Sequence, residues 1–426
     1  MKLSESYLNR IIKESISLLV EEDNPAFNTR NSSDATFKKL WGVIDQKRQE
    51  LHNMVFGELG EQLDDLTKLK AKLMGKEHLK VPETICTAGN KKLPANVLIV
   101  NMSSSLMCPS FYMGLCIISG GTCYAQRQEN QYTNTVQPQR FQIDLMHTQM
   151  LRQYANGNKR PMETYFRLIE VYIQLANKYA TDQLRKVIND MEWKYGRPLT
   201  KVEKDLLKAE HSKYKITEVR LNETGDFHCQ LAVNLWAKFA KKIKRKYGVN
   251  THAYTARNLD FTNASKHINM NYSHKGDYDS EIKPRYFIAV KDEVYDKLPP
   301  VELKAYGEPI LKKLSDNTYY YKCPCNEDEP TCDRCGVCFR PNNTGKEYTI
   351  YVRYHGLKNA KGLKGAYTRK EIKPVMSKYA EYGWSTPDEV NISNKKNTIK
   401  RLNDFSGHVE RLRMADKINK ANNKKK

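Results

Sequence analysis

The sequence has no apolar run long enough to cross a bilayer as a helix. Its first residues hold no apolar h-region with a small-residue cleavage site, so a cleaved secretory leader is not expected. Both absences favour a cytoplasmic protein with no membrane partner. No internal repeat is present, which argues against a solenoid. No recognised nucleic-acid motif is present either. Apolar residues make up 39% of the 426, enough for a core but not a rich one. What abounds is positive charge: the net charge is +22 and the pI about 9.4. That balance fits an anionic partner, nucleic acid first among them, or simply solubility and a lysine-rich composition.

Of ten cysteines, eight lie in two tight blocks, and Cys86 and Cys229 stand apart. A disulfide framework belongs to smaller, cysteine-dense secreted chains. Clustered thiols without a leader point instead to metal in a reducing compartment.

In chain order, Leu8, Ile11, Ile12, Ile16 and Leu19 recur at helical spacing, with Ser4 or Ser6 as cap. This amphipathic helix either packs on its own domain or docks a partner protein. A linker over 23–34 precedes a second helical region, 36–75, interrupted near Gly57 and Gly60. Together, 1–85 reads as a helical N-terminal extension.

From 90 to 300 strands alternate with helices. Strands are expected over Ala95–Val100, Ile216–Leu221, His252–Thr255, Ile268–Tyr272 and Tyr286–Val290. Helices are expected near 137–155, 161–180, 198–213 and 229–247. The pattern predicts an α/β fold, a mostly parallel sheet closed or partly closed into a barrel-like core. Functional residues of such folds gather in loops after the strand C-termini. Residues 301–365 read as a linker, a cysteine-rich metal module and a last strand, Tyr348–Tyr354. Residues 366–426 read as a basic tail, and 395–426 carries eleven Lys/Arg against three Asp/Glu. That last segment is expected to be a frayed helix or disordered.

The first cysteine block is Cys108, Cys116 and Cys123, spaced C-x7-C-x6-C in a Gly- and Ser-rich loop after the strand at 95–100. Three thiolates can hold a [4Fe–4S] cluster with one iron left open, or a zinc completed by a distant residue. The loop can also hold three unmetallated thiols. The second block is Cys323, Cys325, Cys332, Cys335 and Cys338, with His355 downstream. Its two overlapping C-x-x-C steps are a strong metal signal, and zinc and an iron–sulfur cluster both accept such a set.

Asn222–Phe227 (NETGDF) follows a strand and carries Glu223 and Asp226. Asp226 is a candidate acid, base or orienting group, or else caps the helix that follows. Tyr254 and Arg257 end another strand, and Arg257 either grips a carboxylate or phosphate or pairs with a structural acid. Lys238–Lys246 (KFAKKIKRK) is a solvated helix face that also suits phosphate contacts, with 26 tyrosines available for base stacking.

Residues 90–365 resemble an actinophage protein family named after gene product eighty-eight of one such virus. Matching elements, in order, are Cys108-Pro109, Cys116, Cys123-Tyr124-Ala125, Arg220, Thr224-Gly225-Asp226-Phe227, Tyr254-Thr255, Cys323-Pro324, Cys332-x-x-Cys335-Gly336-x-Cys338 and His355-Gly356. Threonine replaces the family's serine at 224, and Cys325 is extra. The resemblance implies a viral source, hence a host-cell cytoplasm. The N-terminal helix also resembles a leader found on phage proteins.

A more distant likeness is to radical S-adenosylmethionine enzymes, which place three cysteines after the first strand of a partial barrel. Their usual spacing is C-x3-C-x2-C, and this chain departs from it. The reading implied is a phage-type iron–sulfur enzyme with one or two clusters and S-adenosylmethionine. Asp226, Tyr254 and Arg257 would line its pocket, and its substrate would be a nucleic acid or nucleotide. The rival is a zinc-stabilised nucleic-acid-binding or virion-associated protein without catalysis.

Overall fold

The computed structural model describes residues 35–57, 63–73 and 369–389 and, apart from short stretches, 79–353. The N-terminal helix, Cys116, Cys123, Cys325, His355 and the segment 395–426 lie outside the described residues.

The elements, in order, are α1 (Ala35–Phe56), α2 (Asp65–Leu73), β1 (Thr87–Ala88), β2 (Val97–Val100) and the one-turn α3 (Pro109–Tyr112). Then come α4 (Val136–Ala155), α5 (Arg160–Tyr195), α6 (Lys201–Ser212), β3 (Glu218–Leu221), α7 (Gln230–Tyr247) and β4 (Asn250–Thr255). The second half holds β5 (Asn269–Tyr272), β6 (Arg285–Val290), β7 (Leu303–Ala305), β8 (Glu308–Pro309), β9 (Lys312–Lys313) and β10 (Tyr319–Lys322). The short α8 (Cys332–Cys335), β11 (Tyr348–Arg353) and α9 (Arg369–Glu381) complete it.

One nine-stranded sheet runs β1-β2-β3-β4-β5-β6-β11-β10-β9, with β1 and β9 at its edges. The seven strands from β2 to β10 are parallel, and only the edge pairs β1–β2 and β9–β10 are antiparallel. The α/β expectation with a mostly parallel sheet therefore holds. Strands β2 to β6 follow one another in space as in sequence. Right-handed crossovers then put every connecting helix on one face.

That helical face carries Leu98, Val100, Val219, Leu221, Ala253 and Met270, packed with residues of α1, α2, α4, α5, α7 and α9. The opposite face is covered by the second cysteine block, whose residues pack on Val97, Ile99, Tyr321, Tyr348 and Ile350. Burial on both faces explains why β2 (VLIV) is apolar throughout and fully buried.

Three boundaries differ from expectation. Helix α5 runs to Tyr195 rather than 180, because Leu184, Val187, Ile188 and Met191 continue its stripe and pack against Leu207 of α6. Gly196, at φ 62, ends it in the left-handed conformation. Tyr319–Lys322, in the expected linker, is instead strand β10, paired in parallel with the whole front of β11. A run of three tyrosines suits a strand buried on both sides. Residues 369–389, assigned to the basic tail, include helix α9 and bury Val375, Tyr379, Trp384 and Glu389 against the helical layer.

Candidate metal centre

The loops after β2 and β3 close on each other at the carboxyl edge of the sheet. Thr224 N donates to Asn101 Oδ1 at 3.1 Å, Thr224 Oγ1 donates to Met102 O at 2.8 Å, and Met102 N donates to Thr224 O at 3.2 Å. Gly225 sits at φ +76, and a Cβ there would lie 2.5 Å from Met102 Cβ and 2.8 Å from Ser103 O. Only glycine fits both the backbone conformation and the approach.

Asp226 follows, and its carboxylate accepts four hydrogen bonds. Ser110 Oγ donates at 2.6 Å, Thr255 Oγ1 at 2.7 Å, Ala256 N at 2.7 Å and Phe227 N at 2.8 Å. Burial pushes this carboxyl above its usual range, against the pull of those donors and of Arg257. Asp226 thus ties the turn that carries Cys108, two residues before Ser110, to the end of β4. It does not cap α7: the N-cap is Cys229, whose side chain makes no capping bond.

Arg257 is 0% exposed, and all five of its N–H groups are engaged. Nε and Nη2 grip Glu389 at 2.6 and 2.9 Å. Nη1 donates to Phe227 O at 2.5 Å and His228 O at 2.9 Å, and Nη2 also donates to Trp384 O at 2.6 Å. Of the two readings of this arginine, pairing with a structural acid is the one observed. That acid comes from the far carboxyl-terminal part of the chain.

Tyr254 lies on the other face of the sheet. Its register partner Asn271 faces the second cysteine block, bonding Cys338 O at 3.3 Å. The Arg220 guanidinium lies 4.7 Å from the Tyr254 ring centroid, Phe287 packs edge-on at 4.9 Å, and the hydroxyl is hydrogen-bonded to Cys338. The three pocket residues expected together are thus divided: Asp226 and Arg257 belong with the first block, Tyr254 with the second. The blocks are divided too. Cys108 packs in the helical-face core, while Cys323 and Cys335 pack on the opposite face, with Cys338 partly buried against them.

The second block is held by polar strand residues. Arg285, at the start of β6, donates to Val337 O at 2.6 Å, Arg340 O at 2.8 Å and Cys338 O at 3.0 Å, while its Nε donates to Asn271 Oδ1 at 2.7 Å. His252 stacks on Phe339 at 4.4 Å. Gly307, at φ +78, donates its N–H to Cys335 O at 2.9 Å. Tyr321 OH lies 3.4 Å from Cys335 Sγ.

Burial pushes the Cys338 thiol up to about 12; Arg285 and Tyr254 pull it down, while Cys323 and Cys335 push it up further. Neighbouring thiols that resist ionising together are suited to a cation, which displaces their protons and neutralises the sulfurs. The donor set is soft sulfur, as zinc and iron–sulfur clusters require. Among the described residues, no three His, Cys, Asp or Glu side chains converge as a finished ligand set.

A polar cluster on the helical face has no counterpart in the sequence reading. Lys70 Nζ donates to Asp144 Oδ1 at 2.7 Å and to Thr148 Oγ1 at 3.1 Å, and His228 Nε2 lies 3.3 Å from Asp144 Oδ1. Burial raises the Asp144 carboxyl, but Lys70 and His228 outweigh it and the net result is about 2. Only His228, next to the GDF motif, offered a signal in the sequence. Cys86 and Cys229 are buried thiols of the same core, and burial pushes Cys229 up to about 11. They behave as small hydrophobes.

No protein-family model, curated protein or solved structure matches this chain. No helix among the described residues is long and apolar enough to cross a membrane.

Proposed function

We propose that this chain is an iron–sulfur enzyme, radical-SAM-like in its chemistry and of phage type, working at the carboxyl edge of its sheet. The observation that carries the reading is the gathering of Cys323, Cys332, Cys335 and Cys338 on one sheet face, under arginine, asparagine and tyrosine donors. This block would hold an auxiliary cluster, with Cys325 and His355 as further candidates.

Cys108 would join Cys116 and Cys123 around an open cluster at the strand ends. Such a cluster supplies one iron free to bind S-adenosylmethionine. Asp226 would serve there as a positioning residue, holding the Cys108 turn against β4 through Ser110 and Thr255. Lys238, Lys241, Lys244 and Arg245 form an exposed basic face on α7, which fits a nucleic acid or nucleotide as substrate. The N-terminal helix would dock a partner protein.

That same basic face favours a second reading: a zinc-stabilised protein that binds nucleic acid without catalysis. Anaerobic purification followed by a visible spectrum and metal analysis separates the two. Brown protein with iron and sulfide supports the enzyme; colourless protein holding only zinc sinks it. Binding to single-stranded DNA should weaken steeply with salt. No binding at low salt would remove nucleic acid as partner in both.

A further inference from the structure

Two phenols reach the sulfurs of the second block from the sheet itself. Tyr321, on β10, places its hydroxyl 3.4 Å from Cys335 Sγ. Tyr254, on β4, is hydrogen-bonded through its hydroxyl to Cys338. Both rings are fixed. Tyr321 is 1% exposed, and Tyr254 is held between the Arg220 guanidinium and the edge-on ring of Phe287. While a thiol keeps its proton, either partner can donate. Metal binding removes that proton, so the phenol becomes the donor in each pair. Its acceptor is then charged, and such bonds are about twice as strong as neutral ones.

We propose that Tyr321 and Tyr254 are positioning residues of the second centre, each donating its O–H to a metal-bound thiolate, Cys335 and Cys338 respectively. The bonds fix the sulfurs and draw charge from them. This proposal rests on reading the second block as a metal centre. Hydrogen bonds to ligand sulfur set the electronic character of thiolate centres. Two phenols from strands four positions apart in the sheet order would therefore tune one site from both sides.

The test uses the full-length chain, reduced and anaerobic, with its metal exchanged for cobalt(II). The sulfur-to-cobalt charge-transfer band and the cobalt affinity, measured by chelator competition, are compared among wild type, Tyr321→Phe, Tyr254→Phe and Tyr320→Phe. Tyr320 is the control, because it precedes Tyr321 on β10 and faces the opposite side. The expected result is a band moved to lower energy in Tyr321→Phe and Tyr254→Phe, with affinity reduced about 10–100-fold for each. Tyr320→Phe should match wild type. Band and affinity unchanged in both Phe variants would overturn the proposal. Wild type that takes up no cobalt would overturn the metal centre itself, and this inference with it. If one variant fails to fold by circular dichroism, the other decides, since the two stand on separate strands.

Discussion

The helical face and the cysteine face of the sheet are built from alternate residues of the same strands. On β4, Ala253 and Thr255 face the helices, while His252 and Tyr254 face the cysteine block. The helical face is closed by apolar packing against five-turn and ten-turn helices (α4, α5) and needs little direction. The cysteine face is covered by a segment with hardly any regular structure, whose carbonyls must be met one by one. Arg285 and Asn271 meet them there. Each face also buries one arginine, and the two are used differently. Arg257 is neutralised by a carboxylate, Glu389, whereas Arg285 is bonded to neutral carbonyls and an amide. The first arrangement locks two distant parts of the chain together. The second leaves a net positive charge beside the thiols, where thiolate charge would be stabilised.

The largest effect should come from the locked arginine. Arg257→Ala strands Glu389 as a buried, unpaired charge, and should cost about 3–5 kcal/mol in urea denaturation. Arg285→Ala leaves only neutral acceptors unmet, so the two faces should separate here. That variant should keep a cooperative unfolding transition but lose bound metal. If Arg285→Ala unfolds as completely as Arg257→Ala, the two faces are not functionally distinct.

Next, Gly225→Ala forces a side chain into a left-handed position and against the Met102 backbone, at a cost of about 1–3 kcal/mol from strain alone. Differential scanning calorimetry would show it. A third effect depends on pH. The Asp144 carboxyl is depressed from 3.8 to about 2 in the folded state. Its contribution, about 2 kcal/mol at 1.36 kcal/mol per unit, is present above the unfolded value. It is lost as pH falls from about 4 towards about 2. The stability difference between wild type and Asp144→Asn should shrink across that window; a constant difference would refute the pairing with Lys70 and His228. The smallest effect belongs to the α5–α6 hairpin, away from both faces. Thr200 and Glu203 form a reciprocal cap, with bonds of 2.7 and 3.3 Å, and Thr200→Ala should cost about 1 kcal/mol.

Much of the scaffold was legible because local pattern dictates it. The stripe of α7, the apolar run of β2 and the turn at Gly57 follow from side-chain periodicity and backbone conformation. Strand β10 was not legible, because tyrosine runs also occur in loops and its partner β11 lies some thirty residues later. The Arg257–Glu389 pair spans 132 residues and the Lys70–Asp144 pair 74, so no local signal announces either.

By itself the sequence determined the alternating strands and helices, the thiol-rich composition of two short segments and the basic charge, all properties of residues and their near neighbours. The tertiary structure decided which face of the sheet each block meets. It set Tyr254 beside Cys338, turned Asp226 into a brace for the Cys108 turn and committed Arg257 to Glu389. The physical reason is the two-residue period of a parallel strand: adjacent residues such as Tyr254 and Thr255 point into different environments. Those environments exist only once the crossover helices and the cysteine segment have been laid on opposite sides.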